Sequence, residues 1–169
     1  MDKTAFRKNI FPFGKFDYVH GGKPRVKCIL CSILSGSKKV VDLTVLKTPF
    51  SILSINLYPY SPGHLLLFPR RHITDITGMN QAEWLDTANC MKSAIKILRK
   101  LYKPRAFNIG MNMGHAAGAS ISHIHWHIVP RYKNELGFMD ILTGRKIYVE
   151  QPQKSLERII RAFKNERTG

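Results

Sequence analysis

Apolar and polar positions alternate most clearly over His123-Ile124-His125-Trp126-His127-Ile128-Val129. A β-strand sends successive side chains to opposite faces. The pattern therefore predicts a strand with three imidazoles on one face and Ile124, Trp126 and Ile128 on the other. Neighbouring imidazoles would stand roughly 6.5–7 Å apart along it. Upstream, Val40 to Leu46 and Phe50 to Leu57 are rich in β-branched and apolar residues and read as strands. Pro59, Pro62 and Gly63 force a loop. His64 to Phe68 resumes as a strand ended by Pro69, and Ala106 to Met113 reads as another. Pro130 is expected to end the histidine strand.

The period changes at Asn80. Asn80 and Glu83 have the spacing of a capping box. Trp84, Ala88, Met91, Ile95, Leu98 and Tyr102 then recur at intervals of three and four, one stripe of a helix that Pro104 ends. Lys154 to Phe163 predicts a short terminal helix. About five strands grouped around one main helix imply an α+β domain with an antiparallel sheet. Residues 1–27 show little periodicity and read as an N-terminal arm, packed through Phe11, Phe13, Phe16 and Tyr18. Residues 28–169 then form a single domain.

Composition adds bounds. A chain of 169 residues is long enough for one core and short for two. No apolar run approaches the roughly 18–20 residues of a membrane span, and the first ten residues lack a signal peptide's apolar centre. A soluble cytoplasmic protein is the expectation. Lys and Arg total 27 against 11 Asp and Glu, a net charge of +16. Such a surface favours nucleotides, nucleic acid or acidic partners, although scattered cations are equally what a solubility bias would leave. Three cysteines argue against a disulfide framework. Cys90 lies inside the helical pattern as a packing residue, and Cys28 and Cys31 form a C-x-x-C pair.

An imidazole row near neutrality suits metal binding, proton transfer or nucleophilic attack. Alternate residues of one strand wrap a tetrahedral ion poorly, which leaves phosphate or acid–base chemistry. The preceding loop, Gly110 to Ser120, is dominated by small residues that let backbone N–H groups approach an anion. Asn112 and Ser120 add neutral donors there. His115 reads as a solvated loop residue, and His20 carries no signal.

These segments together closely resemble the histidine triad family, whose signature is His-φ-His-φ-His-φ-φ. Residues 123–129 fit it at every position. Asn56-Leu57-Tyr58-Pro59-Tyr60-Ser61-Pro62-Gly63-His64 resembles the family's Asn-x-x-P-x-x-P-G-H segment. Pro69-Arg70-Arg71-His72 resembles its P-x-R-H continuation, and Gly118-Ala119-Ser120 its phosphate segment. Phe107 to Asn112, Ala117-Gly118-Ala119, Pro130-Arg131, Gly137-Phe138-Met139 and Lys146 to Glu150 are similar to the branch of diadenosine tetraphosphate phosphorylases and dinucleoside polyphosphate hydrolases. The aromatic lead-in Phe11 to Val19 is similar to that branch too.

The resemblance implies the following roles. His125 is the nucleophile that attacks the α-phosphorus and forms a nucleotidyl-histidine, with His123 and His127 flanking it. Asn112, Gly118 and Ser120 meet phosphate, Asn56 meets ribose, and His64 supports the triad from the adjacent strand at the nucleotide site. A carbonyl near His123 would fix the tautomer of His125. Cys28, Cys31, His72 and His123 would hold a structural zinc ion, with no organic cofactor. The alternatives for the cysteine pair are two buried thiols or a redox pair, and the latter lacks a surrounding βαβ pattern. The resemblance implies a histidine-triad-like fold and a homodimer whose sheets join edge to edge, which would also cover open edges.

The expected activity is nucleotidyl transfer from diadenosine tetraphosphate or a related dinucleoside polyphosphate to phosphate or water. The rivals are an adenosine phosphoramidate hydrolase, a nucleotide- or RNA-binding module without turnover, and a structural zinc protein. Leaving-group contacts would separate the enzymes, and Leu136 to Glu150 is where they are expected.

Overall fold

The computed structural model describes residues 24–133 and 150–167. Most of the expected N-terminal arm and nearly all of 136–150 lie outside the described residues. Five strands form one antiparallel sheet: β1 (Thr44–Lys47), β2 (Ser51–Ile55), β3 (Leu65–Pro69), β4 (Ala106–Gly110) and β5 (Trp126–Arg131). Their spatial order is β1-β2-β3-β5-β4, so β1 and β4 are the edges. Among the described residues the α-helices are α1 (Ile29–Leu34), α2 (Gln81–Tyr102) and α3 (Pro152–Arg167). No helix among the described residues is long and apolar enough to cross a membrane.

The alternation of each strand divides the sheet into two faces. Leu53, Leu65, Leu67, Ile124, Trp126 and Ile128 point to α2 and α3, meeting Ala94, Ile97, Leu98, Ile159 and Phe163 in the main core. Ile52 and Phe68 point the other way and pack against Leu30 and Ile33 of α1 in a second cluster. The expected division of the histidine segment, with Ile124, Trp126 and Ile128 inward, is present.

The strands other than β3 are shorter than the sequence pattern suggested, β3 keeps its length one residue later, and the histidine strand is displaced. It begins at Trp126 rather than at His123 and runs through Pro130 to Arg131. The register Leu65↔Ile128 and Leu67↔Trp126 would set Pro69 opposite Ile124. Proline has no N–H to donate, and the Ile124 N–H goes instead to the Ile73 carbonyl at 2.8 Å. At the other end, Pro130 faces Phe107 of β4, while its carbonyl accepts from Ser61 Oγ at 2.6 Å on the side where β3 pairing has ceased. The missing N–H therefore breaks no ladder bond, and the strand continues.

Helix α2 starts with the expected capping box, Asn80 and Glu83 bonding each other's backbone N–H at 2.9 Å. Its buried face differs from the expected one. Glu83, Thr87, Cys90, Ala94, Ile97 and Leu98 are buried; of the expected stripe, Leu98 is among them and Met91, Ile95 and Tyr102 pack against the core half-buried, whereas Trp84 and Ala88 are exposed. Two polar residues occupy the buried face because the tertiary structure satisfies them. Arg71 grips Glu83 with two bonds of 2.9 and 2.8 Å, and the Ser51 and Thr87 hydroxyls lie 3.1 Å apart. Trp84 is left 42% exposed and Leu85 63% exposed.

Candidate active site and metal cluster

The site is assembled where β5 begins, on the face away from α2. From His123 to His127 the chain turns its three imidazoles to two different destinations. His125 and His127 remain together, with ring centroids 5.1 Å apart. Both line a cleft of about 380 Å³, together with Asn56, Gly118 and Ser120. The rest of the wall is largely apolar and includes Ile29, Leu30, Val40, Leu43 and Phe68. Such a cleft, apolar with a few convergent polar groups, is the usual form of a small-molecule site.

The hydrogen bonds define the chemistry of each nitrogen. His125 Nδ1 lies 2.9 Å from the His123 carbonyl, which only accepts. The ring proton is therefore on Nδ1, and Nε2 carries a free lone pair. Burial lowers the pKa of His125 below the ordinary imidazole value, favouring the neutral ring. His127 is oriented in the opposite sense. The Tyr60 N–H donates to His64 Nδ1 at 3.0 Å, which puts the His64 proton on Nε2. That proton points to His127 Nδ1 at 3.0 Å, so the proton of a neutral His127 sits on Nε2. One imidazole is thus set as a lone-pair donor and its neighbour as a proton donor.

The other sequence-derived residues divide between the cleft and its supports. Asn56 is on the wall, its Oδ1 accepting from the Tyr58 N–H at 3.1 Å and its amide 3.2 Å from His64 Nδ1. His64 is fully buried and lies behind His127 rather than on the wall, so it positions rather than touches a ligand. Gly118 adopts φ +87, a conformation that favours glycine. The N–H groups of Ala117, Gly118 and Ala119 close bonds within the loop. Ser120 is that loop's polar side chain on the wall. Asn112 stands off the wall beside Gly118, its Nδ2 3.6 Å from where a Cβ would sit. His115 is not merely solvated: its Nδ1 donates to the Ala119 carbonyl at 2.9 Å and braces the loop. Tyr60 escaped the sequence reading. It lines the cleft and stacks on His127 with centroids 5.9 Å apart, and within a Pro-rich loop no pattern singled it out.

His123 goes elsewhere. Its Nδ1 lies 3.6 Å from both Cys28 Sγ and Cys31 Sγ, and Cys31 Sγ is 3.3 Å from His72 Nδ1. All four ligand atoms fall within 4.8 Å of one another. The His123 Nε2 proton goes to the Pro69 carbonyl at 3.0 Å, which leaves Nδ1 as a lone pair aimed at the thiols. Tetrahedral zinc with Zn–S of about 2.3 Å and Zn–N of about 2.0 Å would put its ligands about 3.3–3.8 Å apart. The donor set and the spacing fit a metal ion. Burial, then His72, pushes His123 down to about 4. Burial, then Cys28, pushes the Cys31 thiol up to about 11. The histidine is ready to ligate at neutral pH, whereas Cys31 must surrender a proton to the incoming cation.

Similarity to known proteins agrees with this geometry. Residues 37–134 match the HIT domain. The "AP-4-A phosphorylase" of Mycobacterium tuberculosis is 35% identical over 94 residues, covering 55% of this chain and 48% of that protein. The chain thus spans about half the length of that relative. The "Bis(5'-nucleosyl)-tetraphosphatase [asymmetrical]" of Schizosaccharomyces pombe is 29% identical over 132 residues, covering 68% and 72%. Among solved structures, a zinc-bound histidine triad family protein from Mycobacterium smegmatis superposes with a TM-score of 0.69 at 22% identity, covering 84% of this chain and 96% of that one. The paired imidazoles, the cleft and the matched region make the chain a member of the HIT family.

Proposed function

We propose that the protein is a nucleotidyl transferase or hydrolase that cleaves diadenosine tetraphosphate or a related dinucleoside polyphosphate. The observation that carries this reading is the opposed setting of His125 and His127, lone pair beside proton donor, on one cleft. The apolar end of the cleft takes the nucleoside, Asn56 its ribose, and Ser120 a phosphate oxygen.

His125 Nε2 attacks the α-phosphorus. A P–N bond forms and the P–O bond to the leaving polyphosphate breaks, with the electron pair leaving on oxygen. His127 Nε2–H hydrogen-bonds that oxygen and stabilises the charge that develops on it. Water or inorganic phosphate then displaces the histidine, its proton passing to solvent and the lone pair returning to His125. The phosphoramidate divides one hard displacement into two easier ones. His123 contributes through its carbonyl, which holds the His125 tautomer.

Cys28, Cys31, His72 and His123 hold zinc in this reading, and the ion supplies local structure rather than a reacting group. A homodimer is supported by the edge position of β4 among the described residues and by exposed apolar groups on it and on α2, Ile109 at 42% and Trp84 at 42% among them. In this reading the enzyme is cytoplasmic and built as one domain from residue 28 onward.

The test is incubation with diadenosine tetraphosphate, with and without inorganic phosphate, and separation of products by ion exchange. ADP with ATP appearing only when phosphate is present marks a phosphorylase. AMP with ATP in its absence marks a hydrolase. No turnover by the wild-type protein overturns the dinucleoside reading. A second reading, adenosine phosphoramidate hydrolysis, is favoured by 28% identity over 112 residues to the "Adenosine 5'-monophosphoramidase hnt1" of Schizosaccharomyces pombe. Phosphoramidate is the comparison substrate in the same assay.

A further inference from the structure

The cleft and the thiol cluster share a wall. A smaller cavity of about 190 Å³ lies against Cys28, His72 and His123, and four of its bounding residues, Pro24, Ile29, Ser120 and Ile121, also bound the cleft. The division of labour within α1 is residue by residue. Cys28 and Cys31 turn their sulfurs to His123 and His72, while Ile29, Leu30 and Ile33 line the cleft. On the far side of the partition, Ser120 reaches the cleft only three residues before His123 reaches the thiols.

Helix α1 has six residues, too few to be stable by itself. Its Cys28 N-cap makes no side-chain capping bond. What seats it is Leu30 and Ile33 against Ile52 and Phe68, and the cluster at its N-terminus. Thiols are weak hydrogen-bond partners, so without a cation the tie between α1 and the 120–123 segment is a loose one. A tetrahedral ion would draw both segments together and fix the two sides of the partition.

We propose that metal binding at Cys28, Cys31, His72 and His123 and nucleotide binding in the cleft are thermodynamically linked through this partition, each tightening the other. The linkage rests on the reading of the cleft as a nucleotide site. The ligand that arrives first orders α1 and the Ser120–His123 segment, and the second finds them ordered. Linkage is reciprocal, so the factor by which zinc raises nucleotide affinity equals the factor by which nucleotide raises zinc affinity. Couplings of this kind span about 5- to 150-fold.

The experiment uses the intact protein, AMP as nucleotide probe and zinc as metal probe. Calorimetry gives AMP affinity for zinc-loaded and chelator-stripped protein. Competition with a chromophoric chelator gives zinc affinity with and without saturating AMP. The expected result is an equal gain of at least about 5-fold in both directions. Ile29→Ala, made in the zinc-loaded protein, thins the shared wall. It is expected to shrink the slowing of zinc release by AMP, a measurement that does not require a folded metal-free form. AMP binding that is equal in both metal states, or zinc release that ignores AMP, overturns the linkage and leaves the nucleotide reading intact. A protein that binds zinc but no AMP in either state overturns the nucleotide reading and the linkage with it. A protein that binds AMP but no zinc overturns the linkage at its metal end.

Discussion

His123 and His125 are two residues apart and carry the same side chain, yet they serve opposite ends of the site. His125 meets a cleft through a free Nε2, its Nδ1 proton held by a carbonyl. His123 meets two thiols through a free Nδ1, its Nε2 proton held by Pro69. In each case a backbone carbonyl chooses which nitrogen is exposed, and the neighbourhood then decides what that nitrogen can do. The lesson is that an imidazole's role lies in the partner of its second nitrogen. The two ends remain joined, because the carbonyl that fixes His125 belongs to His123.

The largest effect expected from breaking this contrast is at His125. His125→Asn should lower turnover of diadenosine tetraphosphate at least about 1,000-fold, since no nucleophile is left, while zinc content and melting temperature stay at wild-type values. Retained turnover would remove His125 from the chemistry. His127→Asn comes next, with a loss of about 10²- to 10³-fold, the range for one lost donor to a developing oxyanion. The loss should shrink for an AMP ester of 2,4-dinitrophenol, whose leaving group is a far weaker base than a polyphosphate oxygen. An equal loss for both substrates would show that His127 does not act on the leaving oxygen.

On the thiol side the readout changes from rate to stability. Cys31→Ser should abolish stoichiometric zinc and lower the melting temperature by roughly 5 °C or more, through loss of a metal that favours the folded state. Wild-type zinc content in that variant would show that Cys31 is no ligand.

The smallest effect tests what holds that side in place. Arg71, next to His72, is anchored on buried Glu83, and Arg71 holds the Glu83 carboxyl below the usual carboxylate range. A depressed acid stabilises the fold above its unfolded value of about 4.3, and the contribution fades as pH falls through the folded value. Glu83→Gln should therefore cost about 1–3 kcal/mol near neutrality. Its difference from the wild type should narrow in denaturant titrations below pH 4. A difference that is constant with pH would mean that charge is not what Glu83 contributes.

Much of this was legible along the chain because it is local. Period-two alternation named Ile124, Trp126 and Ile128 as the inward side, and Asn80 with Glu83 announced the start of α2. The triad and the spaced Asn56, His64 and Pro69 segments indicated the family, since each motif is contiguous. Other features could not be read in this way. The buried face of α2 depends on Arg71 and Ser51, far away in sequence, satisfying Glu83 and Thr87. The late start of β5 depends on a proline in another strand.

The sequence by itself therefore indicated the five strands, α2 and α3, which side of the histidine segment is apolar, and which three histidines and two cysteines to look at for chemistry; helix α1 was not among its readings. The tertiary structure alone decided how those five side chains are shared between a cleft and a cluster of thiols and imidazoles. It did so because tautomers, ligand spacing and cavity walls are set by groups distant in sequence: the Pro69 carbonyl for His123, the Tyr60 N–H for His64 and so for His127, and the short helix α1 that closes one side of both cavities.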